Sequence, residues 1–202
     1  MRFVLVAAAA LAALTAAFAL PAGAHVTHMT APGPQCGGTL WKLMTLSDTG
    51  KSAVKWVPTA TTIPDIAKLS APAKITTARS SAFQKQVWKL TAVIERYRMA
   101  SNGEIVLELY DIPTSMYMNA YMPSPQCLPS KARGRAQMLA ARNGFLKDCP
   151  AVTANWQILG ATADMSGVGF WNPVKTTLGA LKNGAELRPL IDVKITQGCG
   201  HF

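Results

Sequence analysis

The sequence predicts an α+β domain, on three observations. Apolar and polar residues alternate in several short runs, the period of half-buried strands. One stretch, Ser130 to Lys147, repeats its apolar residues at helical spacing instead. Four cysteines lie along a chain that opens on an export-type leader, which points to a disulfide-bonded domain. The elements read as three meandering strands, one main α-helix and two further strands. That is the order of a small five-stranded OB-like β-barrel, with an open sheet carrying one packed helix as the alternative.

Taken in order, residues 1–24 read as a signal peptide. Arg2 gives the positive start, Phe3 to Leu20 is apolar, and Ala22-Gly23-Ala24 is a small-residue cleavage site. No second apolar run of that length follows, so the mature chain is expected to be secreted or periplasmic. Cleavage there makes His25 the new N-terminus, with His28 close behind. An amine and imidazoles so placed are copper ligands, so these two residues are the metal candidates.

Residues 25–82 read as an extended N-terminal arm, rich in Pro, Thr, Ala and Lys and pinned by Cys36. Trp41, Trp56 and the Ile and Leu content favour partial burial over a disordered linker. Trp41 to Met44 reads as a short strand. The segment around Pro64 reads as one helical turn.

Residues 83–202 hold the barrel. Val87 to Met99 alternates, with Trp88, Leu90, Ala92 and Ile94 on one side. Asn102-Gly103 turns the chain, because that pair tolerates positive φ. Glu104 to Asp111 returns with Ile105, Leu107 and Leu109 inward. Met116 to Met122 is the third strand, with Tyr117 and Tyr121 opposite its methionines. Trp156 to Trp171 reads as a strand pair or one long strand bent at Gly167 and Gly169. Leu187 to Ile195 is the last strand.

The helix carries the main oddity. Ser130 is placed to cap its first turn. Met138, Ala141 and Phe145 share one arc, yet Lys131, Arg135 and Arg142 fall inside that arc. A guanidinium facing a core must snorkel out, meet a carboxylate or accept a guest anion, since an isolated buried charge is strongly unfavourable. Glu186 is the first partner considered for Arg135 or Arg142, and Asp111 the second.

Cys36, Cys127, Cys149 and Cys199 allow three pairings. Cys127 and Cys149 flank the helix, which at ~1.5 Å per residue holds them about 25 Å apart, too far for a bridge. In an OB-like barrel the third and fifth strands end on the same side. That reasoning pairs Cys127 with Cys199 and Cys36 with Cys149. No C-x-x-C spacing supports zinc.

Twenty Lys and Arg against ten Asp and Glu give a formal net charge of +10. The excess fits a polyanion partner, whether nucleic acid, acidic glycan or a phosphate compound. The lysines are scattered, without a dense run. All three histidines, His25, His28 and His201, lie near the ends, so histidine-based acid–base chemistry lacks its residue. There is no Walker loop, G-x-G-x-x-G, G-x-S-x-G or H-E-x-x-H.

Several short motifs together resemble a family of uncharacterised exported bacterial proteins. They are Cys36-Gly37 with Trp41, Val87-Trp88, Met122-Pro123-Ser124-Pro125 with Cys127, and Ala141-Arg142 with Phe145. They continue through Gly167-Val168-Gly169-Phe170 and Asn183-Gly184 with Glu186-Leu187 and Pro189. The resemblance implies a nuclease-like barrel. Many members of that family show a D-x-D-x-H pattern in the second strand, where this chain has Asn102, Glu104 and Val106. The residue before Pro189, often histidine in similar sequences, is Arg188.

Two functions of different class follow as expectations. The first is an exported binding or structural module with an anion-accepting cleft built from Arg135, Arg142 and Arg188 beside Glu186. The second is a metal-assisted phosphodiesterase using Glu104, Asp111, Glu186 and Arg142 with a divalent metal. Copper at His25 and His28 is a third.

Overall fold

The computed structural model describes residues 36–199; the leader, His25, His28 and His201 lie outside them. The described elements are α1 (Trp41–Met44), β1 (Lys55–Ala60), α2 (Ile63–Ala67), β2 (Gln86–Met99), β3 (Ile105–Asp111), β4 (Met116–Met122), α3 (Arg135–Asp148), β5 (Gln157–Trp171) and β6 (Ala185–Gln197), joined by three short 3₁₀ turns. The fold is α+β, with one six-stranded mixed sheet ordered β1-β2-β3-β4-β6-β5. Because β2 also pairs with β5, strands β2 to β6 form a ring of hydrogen-bonded neighbours.

The alternation read from sequence is the cause of this sheet. Leu90, Ala92 and Ile94 of β2 meet Ile105, Leu107 and Leu109 of β3 and Met118, Ala120 and Met122 of β4 in one core. Removing such side chains from water is the main drive to fold, at ~25 cal/mol per Å² of apolar area. The strand from Gln157 to Trp171 is one long element whose register slips around Gly167 and Gly169, as expected of a bent strand.

Four expectations are corrected. Trp41 to Met44 forms a helical turn, not a strand. Its Trp41 and Leu43 are buried on the arm, too few residues to display a period. Lys55–Ala60 is an additional parallel strand on β2, although it is largely exposed and contains Pro58. Strands of that kind are edge strands, whose side chains give no alternation.

The helix begins at Arg135, not at Ser130, with Gly134 as a left-handed N-cap. The preceding residues are held elsewhere. Arg133 donates widely: its N–H goes to Leu46 O, and its guanidinium to the carbonyls of Lys51, Ser52 and Val54 at 2.8–3.1 Å. That guanidinium also stacks 4.6 Å from the Trp56 ring. The indole closes over Gly134, where φ is +71° and an added Cβ would lie 2.4 Å from Trp56 Cη2. Gly134→Ala is therefore expected to destabilise the protein by about 1–3 kcal/mol, from left-handed strain plus the clash. Urea unfolding of the two proteins measures it.

The cysteines also pair otherwise than expected: Cys36–Cys127 and Cys149–Cys199. The sequence reasoning assumed that β4 and β6 end level. They share a single parallel pair, Ala120↔Leu187, after which β6 runs on to Gln197 against β5. This carries Cys199 past Cys127 to the C-terminal end of α3, where Cys149 sits, and leaves Cys127 to the arm. No helix among the described residues is long and apolar enough to cross a membrane.

Within the arm itself a buried ion pair adds a further tie. Arg79 donates to both oxygens of Asp48, at 3.2 and 2.8 Å, and to the carbonyls of Gln84 and Leu43. Burial lowers the Arg79 pKa, and Asp48 pulls against that fall.

Candidate functional site

Residues that alternate with the core positions face outward on β3, β4 and β6, and several are nevertheless buried. Glu104 precedes β3, Tyr121 lies on β4, and Glu186 and Arg188 lie two apart on β6, so they share one face. Arg188 donates through Nε to Glu104 Oε1 at 3.0 Å and through Nη2 to Glu104 Oε2. Its Nη1 donates to Glu186 Oε1 at 3.3 Å. The guanidinium lies 4.2 Å from the Tyr121 ring centroid, a cation–π contact. Asn102 donates at 2.6 Å to Glu104 Oε2, which it shares with Arg188 Nη2, and Asn172 donates to Glu186 Oε2 at 3.1 Å.

This cluster puts two acids on one guanidinium out of water. Burial pushes Glu186 up to about 7, against the pull of Arg188 and the hydrogen bond from Asn172, with Glu104 adding to the rise. Burial and the charge of Glu186 hold the Tyr121 phenol above its ordinary value. Burial works against the charge on Arg188, but Glu104 and Glu186 together raise its pKa.

A pH effect on stability follows. Glu186 holds its proton to about pH 7 when folded, against 4.5 for an unperturbed carboxyl. Between those values the native state binds a proton that the unfolded chain has released. The contribution is therefore fully present below about pH 4.5 and is lost as pH rises through 7, to a total of about 3 kcal/mol. Unfolding free energies of wild type and Glu186→Gln from pH 4.5 to 8 test this. The variant is expected to lose that downward slope.

Arg142 occupies a second environment. Of the arginines expected inside the helical arc, it is the buried one. Its Nη1 donates to the carbonyls of Met122 and Pro123 at 3.2 and 3.3 Å, and its Nη2 to Met99 Sδ at 3.5 Å. None of these partners is anionic. Burial lowers the Arg142 pKa, while the nearby charge of Glu104 raises it. The side chain lines a groove of about 500 Å³, together with Met99, Ser101, Gly103, Ser124 and Gln126.

The other candidate residues lie apart. Asp111 ends β3, seven residues from Glu104, and its carboxylate accepts from the N–H and hydroxyl of Thr114. Arg135 opens α3 half-buried, with its Nε lacking a hydrogen-bond partner. Arg188, expected to offer its donors to a guest anion, gives them to Glu104 and Glu186. The partner considered for Arg135 or Arg142, Glu186, is thus taken by the arginine two residues along its own strand. The signal was present in sequence as Glu186-x-Arg188, whose spacing puts both side chains on one face.

Sequence reasoning missed Glu108 and Asn119, a buried cross-strand pair on the same outward face. Asn119 lies between Tyr117 and Tyr121, which already marked that face. Among the described residues no group of three or more His, Cys, Asp or Glu converges as a metal site. No family model, curated protein or solved structure matches the chain, so what this site does rests on its own geometry.

Proposed function

We propose that the chain is an exported binding module on an OB-like barrel, and that it takes an anion in the groove at Arg142. The strand order of the ring supports the barrel reading: first, second, third, fifth, fourth and back to the first, with the third and fifth parallel. The two disulfides fit an exported protein.

The observation that carries the anion reading is a buried guanidinium with only uncharged partners, facing an open groove. A phosphate, sulfate or carboxylate would supply a counter-charge in direct contact, where Glu104 acts only through space. The hydroxyls of Ser101 and Ser124 and the amide of Gln126 line the same groove as further donors. Inorganic phosphate, a sulfated trisaccharide and a short oligothymidylate, titrated at low salt, are the probes. Amide shifts are expected at Ser101, Gly103 and Ser124. Arg142→Lys is expected to keep the fold and weaken binding about tenfold, because a point charge cannot replace the fork. Shifts confined to other surfaces, or unchanged in Arg142→Lys, would sink the reading.

A metal-assisted phosphodiesterase is the second reading, favoured by the neutral-range Glu186 beside Arg188. Glu104 and Glu186 would have to leave Arg188 before either could hold a cation. Turnover of a chromogenic phosphodiester with Mg²⁺ or Ca²⁺, lost in Glu186→Gln, would establish it.

A further inference from the structure

We propose that residues 173–180 form a lid over a saccharide site whose floor is the cross-strand pair Glu108 and Asn119, apart from the Arg142 groove. Both floor residues are about as buried as core residues, Glu108 2% and Asn119 1% exposed. Yet Asn119 Nδ2, Asn119 Oδ1 and Glu108 Oε2 have no hydrogen-bond partner. The nearest cation to that oxygen, Arg96 Nε, stands at 3.6 Å, beyond hydrogen-bonding reach. Three orphaned polar atoms in one spot are unfavourable for folding and call for a reason beyond packing.

What covers them is backbone. Gly179 has φ +79°, and an added Cβ would lie 2.7 Å from Asn119 Oδ1 and 2.8 Å from Glu108 Cγ. The covering segment is fastened only at its ends. Asn172 N–H donates to Gly184 O, and Asn183 Nδ2 donates to the carbonyls of Ile66, Ala67 and Leu69. Between them the bonds are local: Val174 N–H to Asn172 Oδ1 and Ala180 N–H to Thr177 O. Val174 and Leu178 point their side chains into solvent, 55% and 43% exposed. Lifting this segment breaks no strand pairing.

The chemistry of the floor selects the guest. Asn119 offers one donor group and one acceptor, and Glu108 offers a second acceptor. Adjacent hydroxyls, which each donate and accept, complement that set. The next cross-strand pair on the same face is Tyr110 and Tyr117, with ring centroids 4.8 Å apart, an apolar flank for the C–H face of a sugar ring. A cavity of about 400 Å³ opens there between Tyr117, Met116, Gly179 and Leu181. Glu95 and Glu108 share Arg96 in one ion-pair cluster and Lys182 lines the cavity, so these charges balance and give a phosphate backbone no net positive surface.

The test titrates the full mature protein with maltotetraose, cellotetraose and chitotetraose, with inorganic phosphate and oligothymidylate as counter-arms. Binding of at least one saccharide is expected. Gly179→Ala, which pushes the lid off, should tighten it threefold or more and speed hydrogen exchange over the lid. Asn119→Leu removes both orphaned amide atoms, so the Tm should hold or rise while binding falls tenfold or more. The proposal is overturned if no saccharide binds wild type or Gly179→Ala, if binding survives Asn119→Leu, or if phosphate or oligothymidylate competes at this face more tightly than any saccharide.

Discussion

Arg188→Met is expected to lower the free energy of unfolding by about 5 kcal/mol or more, the largest single effect in the protein. The substitution keeps the volume of the side chain and removes its charge. Glu104 and Glu186 are then left 0% and 3% exposed, facing each other without their shared cation. Asn102 and Asn172 supply one hydrogen bond each, too little to hold two carboxylates out of water. The loss should be greatest near pH 8, above the value of about 7 at which Glu186 gives up its proton, and smaller near pH 5. Urea unfolding at the two pH values measures it. Adding Glu104→Gln and Glu186→Gln to Arg188→Met should restore at least half of the loss. A loss under about 2 kcal/mol at pH 8 would mean that water reaches the cluster.

Arg79→Met is expected to destabilise by about 4 kcal/mol, by the same mechanism at a different place. Asp48 is 5% exposed and takes two hydrogen bonds from Arg79. The carbonyls of Leu43 and Gln84 lose a donor in the same step. The effect should be local at first: hydrogen exchange across residues 41–54 should quicken before the ring strands respond. Arg79→Met with Asp48→Leu separates the causes. Recovery in the double variant assigns the loss to the stranded carboxylate, and no recovery assigns it to the carbonyls.

What the sequence made legible follows the strength of its periodicity. Met116 to Met122 alternates without a break, and the strand has those bounds. The strands Val87 to Met99 and Leu187 to Ile195 were found nearly whole for the same reason. Lys55 to Ala60 was missed because an exposed edge strand shows no alternation, and Trp41 to Met44 because a single helical turn is too short to repeat its period. The helix start was misplaced because Arg133 and Trp56, remote in sequence, decide it.

The site was legible in its parts and not in its pairings. Arg142 was singled out as a guanidinium on an apolar face, and it is buried. Glu104, Glu186 and Arg188 were each named, yet their meeting depends on β6 lying beside β4, where the parallel pairing is a single residue pair. Glu108 and Asn119 gave no signal at all, since an acid and an amide on an outward face read as solvated until the covering loop is known.

The two sulfur bridges divide the chain into two covalently closed spans, residues 36–127 and 149–199, with α3 on the link between them. A protease that nicks anywhere inside either span leaves one covalent molecule, and the lid at 173–180 is among the places where this holds. Only a cut between Cys127 and Cys149 parts the two spans, and much of that stretch is wound into α3. Under non-reducing electrophoresis a protein cut at its lid should therefore run as an intact chain, and separate only after thiol treatment.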